Sequence, residues 1–137
     1  MKRYLTIIIS ALFYFYSGVV LAQDSIEIEL NKLEDRDDSC RAYLVFKNHT
    51  GSYFKEFKLD LVMFGPDGVI SRRLAVDSSP LRARKTSVKL FDIEGLSCQE
   101  ISLILINDVL SCRDEAERDD CVDLIEASSK SHVSFVK

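Results

Sequence analysis

Phe57-Lys58-Leu59-Asp60-Leu61-Val62-Met63-Phe64-Gly65-Pro66-Asp67-Gly68-Val69-Ile70 is the stretch on which the fold turns. Phe57, Leu59, Leu61 and Met63 alternate with Lys58, Asp60 and Val62, a period of two that sets one apolar face against a core. Pro66 presets φ ahead of Asp67-Gly68, and glycine accepts positive φ, so the chain folds back as a hairpin into a strand from Val69 to Val76.

The same pattern recurs on either side. Ile26, Ile28 and Leu30 alternate with Glu27, Glu29 and Asn31, predicting a first strand ahead of a polar loop from Glu34 to Ser39. A second strand runs from Cys40 to Lys47 with Ala42, Leu44 and Phe46 on one face, and Asn48-His49-Thr50-Gly51 closes it as a turn. After Ser78-Ser79-Pro80, a fifth strand from Lys85 to Phe91 is expected to turn Val88 and Leu90 inward, with Gly95 as its end. Ile101-Ser102-Leu103-Ile104-Leu105-Ile106 is apolar on nearly both faces and reads as a strand buried in the middle of the domain. Val122, Leu124 and Ile125 predict a short helix from Cys121 to Ala127, and Val133 to Val136 returns as a last strand. The expected fold is mainly β: an immunoglobulin-like antiparallel sandwich of about seven strands, with a short helix near the C-terminus.

The beginning of the chain reads as an export signal. Lys2 and Arg3 precede an uncharged stretch from Tyr4 to Leu21 that ends in Val20-Leu21-Ala22, which predicts a signal peptide over residues 1–22 cut after Ala22. The rival is a retained anchor, because the apolar run approaches the roughly 18 to 20 residues of a spanning helix. Gln23 stands where a lipoprotein needs cysteine, and Lys2-Arg3 is not a twin-arginine pair. Residues 23–137 suit a single domain in size, and no later stretch is long and apolar enough to span a bilayer. Loss of Lys2 and Arg3 takes the net charge from −4 to −6, which argues against nucleic-acid binding, where a clustered basic surface is needed. The expected location is periplasmic or secreted.

Cys40, Cys98, Cys112 and Cys121 lie beyond the cut, an even set delivered to an oxidising space. Three pairings are open to four cysteines. Cys112 and Cys121 bracket the charged run Arg113 to Asp120, which reads as a loop, and this favours Cys112 with Cys121 and Cys40 with Cys98. In a sandwich of this kind the second and sixth strands run the same way in facing sheets, and Cys40 and Cys98 stand at their starts. Zinc is the rival ligand, yet there is no Cys-x-x-Cys pair and His49 and His132 are distant in sequence, so neither metal nor cofactor is expected.

Phe46-Lys47-Asn48-His49-Thr50-Gly51, the alternating strand Phe57 to Phe64 and Asp67-Gly68-Val69-Ile70 together resemble the FxLYD-type immunoglobulin-like domains of bacterial envelope proteins. Those domains carry an Asn-x-Thr-like turn, an alternating strand that ends in an aromatic, and an Asp-x-x-Gly-like hairpin. The whole also resembles short exported bacterial proteins. What the resemblance implies is a fold and a compartment, and no ligand or reaction.

Chemistry-bearing residues are few. Ser128-Ser129-Lys130-Ser131-His132 is the nearest approach to a hydrolase, but neighbours in sequence point apart and no Gly-x-Ser-x-Gly elbow accompanies them, so no catalytic residue is expected. Asp35, Asp37 and Asp38, and the acidic run from Asp114 to Asp123, lack the order of an EF-hand loop and read as solvated loops. Arg72, Arg73, Arg82, Arg84 and Lys85 would form one positive patch if the fourth and fifth strands are neighbours, able to hold an anionic envelope component or an acidic protein face; otherwise they are charges guarding an edge strand. Asn48-His49-Thr50 matches a glycosylation acceptor, though the turn needs no sugar. The reading of function is a non-catalytic envelope module for protein contacts, with an anion-binding or small-ligand protein as the alternative.

Overall fold

The computed structural model describes residues 21–137, so the expected signal peptide lies almost wholly outside the described residues. Among the described residues eight strands form two four-stranded sheets. In the first sheet the order is β5 (Thr86–Glu94), β2 (Ser39–Asn48), β1 (Ile26–Asp35) and β7 (Ile125–Ser129). In the second it is β4 (Ile70–Asp77), β3 (Glu56–Phe64), β6 (Leu103–Arg113) and β8 (Ser134–Val136). Strands one, two and five share one sheet and three, four and six the other, so the second and sixth strands lie in facing sheets as the sequence predicts.

Alternation decides which side chains meet. Ile26, Ile28, Leu30, Ala42, Leu44 and Phe46 of the first sheet are fully buried, as are Phe57, Leu59, Leu61, Met63 and Ile104 of the second. Burying each of these larger side chains stabilises the fold by about 2 kcal/mol before the entropy of ordering it is counted. The β3–β4 hairpin closes as expected, with the Gly68 amide donating to the Gly65 carbonyl at 2.9 Å and Gly68 at φ 78°.

Both predicted disulfides are present. Cys40–Cys98 ties β2 to the 3-10 turn ahead of β6 at Cα separation 4.8 Å, and Cys112–Cys121 closes the loop after β6 at 6.5 Å. Every cysteine is thereby bonded, which removes thiolate zinc ligation from consideration. The Cys98 amide also donates to the Asp35 carboxylate at 2.8 Å, fixing the 3-10 turn Cys98–Glu100 beside the bridge.

Four expectations are corrected. The helix over Cys121 to Ala127 is a turn followed by β7, because the open edge of β1 accepts the chain as a parallel strand, Ile26 opposite Ile125. The sandwich is accordingly not wholly antiparallel: β7 runs parallel to β1 and β8 parallel to β6, one closing strand for each sheet. Glu34 and Asp35 belong to β1 instead of a loop, and only a short turn separates them from β2. Val88 and Leu90 face outward, 54% and 52% exposed, while Phe91 and Ile93 pack inward. The side-chain period of two allows only one of these sets to face the core.

Candidate binding face

β6 is where the sequence and the architecture pull apart. Ile104 and Ile106 enter the core, but Leu103 and Leu105 point to the outer face of a two-layer fold, where polar residues are the rule. Cross-strand register extends that apolar surface sideways. Phe64 lies between Leu103 on β6 and Ile70 on β4, and Val62 lies beside Leu105, which in turn pairs with Val136 on β8. The patch therefore crosses all four strands. Val62 is nearly closed off at 6% exposure, Phe64, Leu103 and Leu105 are half-buried, and Ile70 and Val136 rise at its margins with 59% and 38% exposed.

A charged cluster borders this patch. Asp60, 2% exposed on the same face of β3, accepts two parallel hydrogen bonds from Arg73 at 2.8 Å each and a third from Asn107 Nδ2 at 2.7 Å. The Arg73 hydrogen bond, aided by Asn107, holds the Asp60 carboxyl below its ordinary value against the opposing effect of burial. Asp60 is a residue that sequence reading passed over as part of a mixed face; a lone acid inside an apolar strand was the available signal. A depressed folded-state value means that its stabilisation is complete above the unfolded value near 3.8 and is lost as pH falls through the lower folded value. Asp60→Asn is expected to lower stability at neutral pH by about 2 kcal/mol. In urea titrations the gap from the parent protein should close as pH is taken below 3.8.

The expected single basic patch does not form, since β4 and β5 are edges of different sheets. Neighbours on a strand face opposite ways, so Arg72 turns inward while Arg73 turns out to Asp60. The Arg72 guanidinium lies so close to Gly95 that a Cβ there would stand 2.7 Å from Nη2, and its buried Nε has no hydrogen-bond partner. Arg82 borders a shallow depression with Tyr53 and Ala83. Arg84 and Lys85 line another with Lys47, His49 and Thr86.

The remaining sequence candidates serve as local structure. Ser129 Oγ donates to the Val133 carbonyl at 2.6 Å and meets Ser131 Oγ at 3.2 Å, tying the turn between β7 and β8, while Lys130 approaches Glu29 at 3.5 Å. His132 and Ser128 are exposed. The acidic loop is organised by Arg118, another residue missed in the sequence. It bonds Asp114 at 2.9 Å and both carboxylate oxygens of Asp120, with its guanidinium 5.5 Å from the centre of the Phe54 ring. Asn48, 2% exposed, is consumed in bonds within the turn and to the β4–β5 connection, which leaves no free amide for a sugar. Among the described residues no three His, Cys, Asp or Glu side chains converge as a metal site, and no helix is long and apolar enough to cross a membrane.

The outer face of the first sheet carries a narrower apolar stripe, Tyr43 and Val45 beside Leu90 and Val88. Ion pairs enclose it at both ends, Arg41–Asp92 at 2.7 Å and Lys47–Glu27 at 2.9 Å. Near one of those ends the Glu34 carboxyl is drawn down to about 2 by hydrogen bonds from Lys32, Tyr43 and Arg36. The stripe spans two strands against four in the second sheet.

No family model matches the chain and no curated protein matches it, so the FxLYD resemblance finds no support at the level of family. Among solved structures the chain is similar to IrmA from Escherichia coli, with a TM-score of 0.57 and 10% sequence identity over 77% of this chain and 92% of that chain. At that identity the likeness shows the fold, a small β-sandwich, and nothing about activity.

Proposed function

We propose that the chain is a non-catalytic binding module of the cell envelope whose partner is a different protein, packing an apolar strip onto the outer face of the second sheet. One observation carries this reading: a strand of a two-layer fold is apolar on both sides, and its outward side joins a patch across four strands. A surface with an apolar centre and a charged margin has the anatomy of a protein interface. Arg73 stands at that margin; its guanidinium is fixed by Asp60 while its side chain is 64% exposed, so it can still donate to an acceptor on the partner. The disulfides and the export signal read at the N-terminus support an oxidising place of action.

The test is affinity capture from an envelope extract with matched variants. Ile70→Glu and Val136→Glu are exposed enough to leave folding intact, and Val88→Glu places an equally exposed charge on the opposite sheet. Circular dichroism melts should be alike for all three. The partner recovered by the parent chain should be retained by Val88→Glu and lost at least tenfold, about 1.4 kcal/mol, by the other two. Retention by Ile70→Glu and Val136→Glu, loss through Val88→Glu, or recovery of a second copy of the chain alone would refute the assignment.

A further inference from the structure

Three described positions hold positive φ. Two are glycines, Gly68 at 78° and Gly95 at 73°, and the third is Arg84 at 53°. A left-handed backbone crowds Cβ against the following carbonyl oxygen, so glycine would suit this position better than arginine. Packing does not compensate, because the residue is exposed. Nor does an ion pair: among the described residues no carboxylate lies within pairing distance of Arg84 or Lys85, whereas Lys47 reaches Glu27 at 2.9 Å and His49 reaches it at 3.4 Å. Residues held against their backbone preference cluster at ligand clamps and other functional sites, and the uncommitted side chain of Arg84 makes this position a candidate for one.

The surroundings say what kind. Arg84, Lys85 and Thr86 line one depression with Lys47, Asn48 and His49 at the end of β2. Main-chain bonds fix its walls: the Asn48 amide donates to the Lys85 carbonyl at 3.1 Å and the Arg84 amide to the Thr50 carbonyl at 3.3 Å. Lys47, Arg84 and Lys85 thus bring three permanent cations to a lining that holds no carboxylate, with Lys47 alone of the three reaching one, Glu27, in a chain whose net charge is −4.

We propose that this depression binds a phosphate-bearing anion, with the Arg84 guanidinium as its principal contact. A guanidinium offers two parallel N–H donors to two phosphate oxygens, and Lys85 and Lys47 add charge without demanding geometry. The site is open at the end of the sandwich, so a soluble phosphoester and a phospholipid head group present it with the same chemistry. It is separate from the face on the second sheet.

Amide chemical shifts of the purified chain, titrated at low salt with inorganic pyrophosphate and with phosphatidylglycerol or phosphatidylcholine vesicles, test the proposal. Pyrophosphate should shift the amides of Lys47, His49, Arg84, Lys85 and Thr86. A response to phosphatidylglycerol vesicles alone would assign the site to a head group, and a response to pyrophosphate alone to a soluble phosphoester. Arg84→Gly should weaken binding at least tenfold while melting about 2 to 4 °C higher, since the strain is relieved. Arg36→Gln, at the other end of β2, should bind as the parent chain does. The proposal is wrong if neither probe moves those amides, if Arg84→Gly keeps the parent affinity, or if that variant melts lower than the parent.

Discussion

Replacing Cys40 and Cys98 together by alanine is expected to lower the unfolding free energy by about 4 kcal/mol and the melting temperature by about 15 °C. The bridge closes a loop of sequence separation 58, whereas Cys112–Cys121 closes one of 9. In the chain-entropy picture the unfolded ensemble regains freedom with the logarithm of loop length, so removal of the shorter bridge costs about 2.5 kcal/mol. The longer bridge also ties the start of β2 to the 3-10 turn that leads into β6, with both sulfur-bearing residues buried and the Cys98 amide bonded to Asp35. Its loss should release the β1–β2 hairpin tip from the second sheet. Guanidinium titrations of the two double variants check the order; equal costs, or a larger cost for Cys112–Cys121, would contradict this account.

Asn48→Ala is the other large effect, about 3 kcal/mol, read as a fall in the urea midpoint with an unchanged slope. Asn48 Nδ2 donates to the carbonyls of Ser52 at 2.9 Å and Arg82 at 3.1 Å, with a longer approach to Leu81 at 3.4 Å. Its Oδ1 accepts from the Thr50 amide at 3.0 Å and the Thr50 hydroxyl at 2.7 Å. Alanine leaves several polar groups without partners in a region where Asn48 and Thr50 are 2% and 3% exposed. The Leu81 carbonyl suffers least, because the Phe54 amide also donates to it. Asn48→Asp separates the two halves of the role: it keeps the acceptor for Thr50 but turns an oxygen toward the carbonyls, and should cost at least as much. A variant within 1 kcal/mol of the parent would show that the turn is held by its backbone alone.

What the sequence discloses is uneven, for physical reasons. β3 has apolar residues on one parity only, so its inward face and its hairpin are legible. β5 has apolar residues on both parities, Val88 and Leu90 against Phe91 and Ile93, and only its register beside Cys40, which pairs with Ile93, makes the choice. The spacing of Val122, Leu124 and Ile125 satisfies a helix as readily as a strand, and the free edge of β1 outweighs it. The basic cluster misleads because Arg72 and Arg73 are adjacent in sequence but on opposite faces of one strand, while Arg84 and Lys85 sit beyond the strand's other end. The outer apolar face of β6 was hidden in the same way. An apolar run on both parities signals a strand covered on both sides; on the proposed reading the outer cover of β6 is a partner protein, which leaves no mark in this chain's own sequence.

That last point is the centre of the account, and site-directed photo-cross-linking in the native envelope addresses it most directly. A photoreactive residue placed at Ile70 or at Val136 should give the same adduct with a different protein, and one at Val88 should give none. Cross-links at Val88 as strong as those at Ile70, no adduct at either position of the second sheet, or adducts only between copies of the chain would contradict the proposed role.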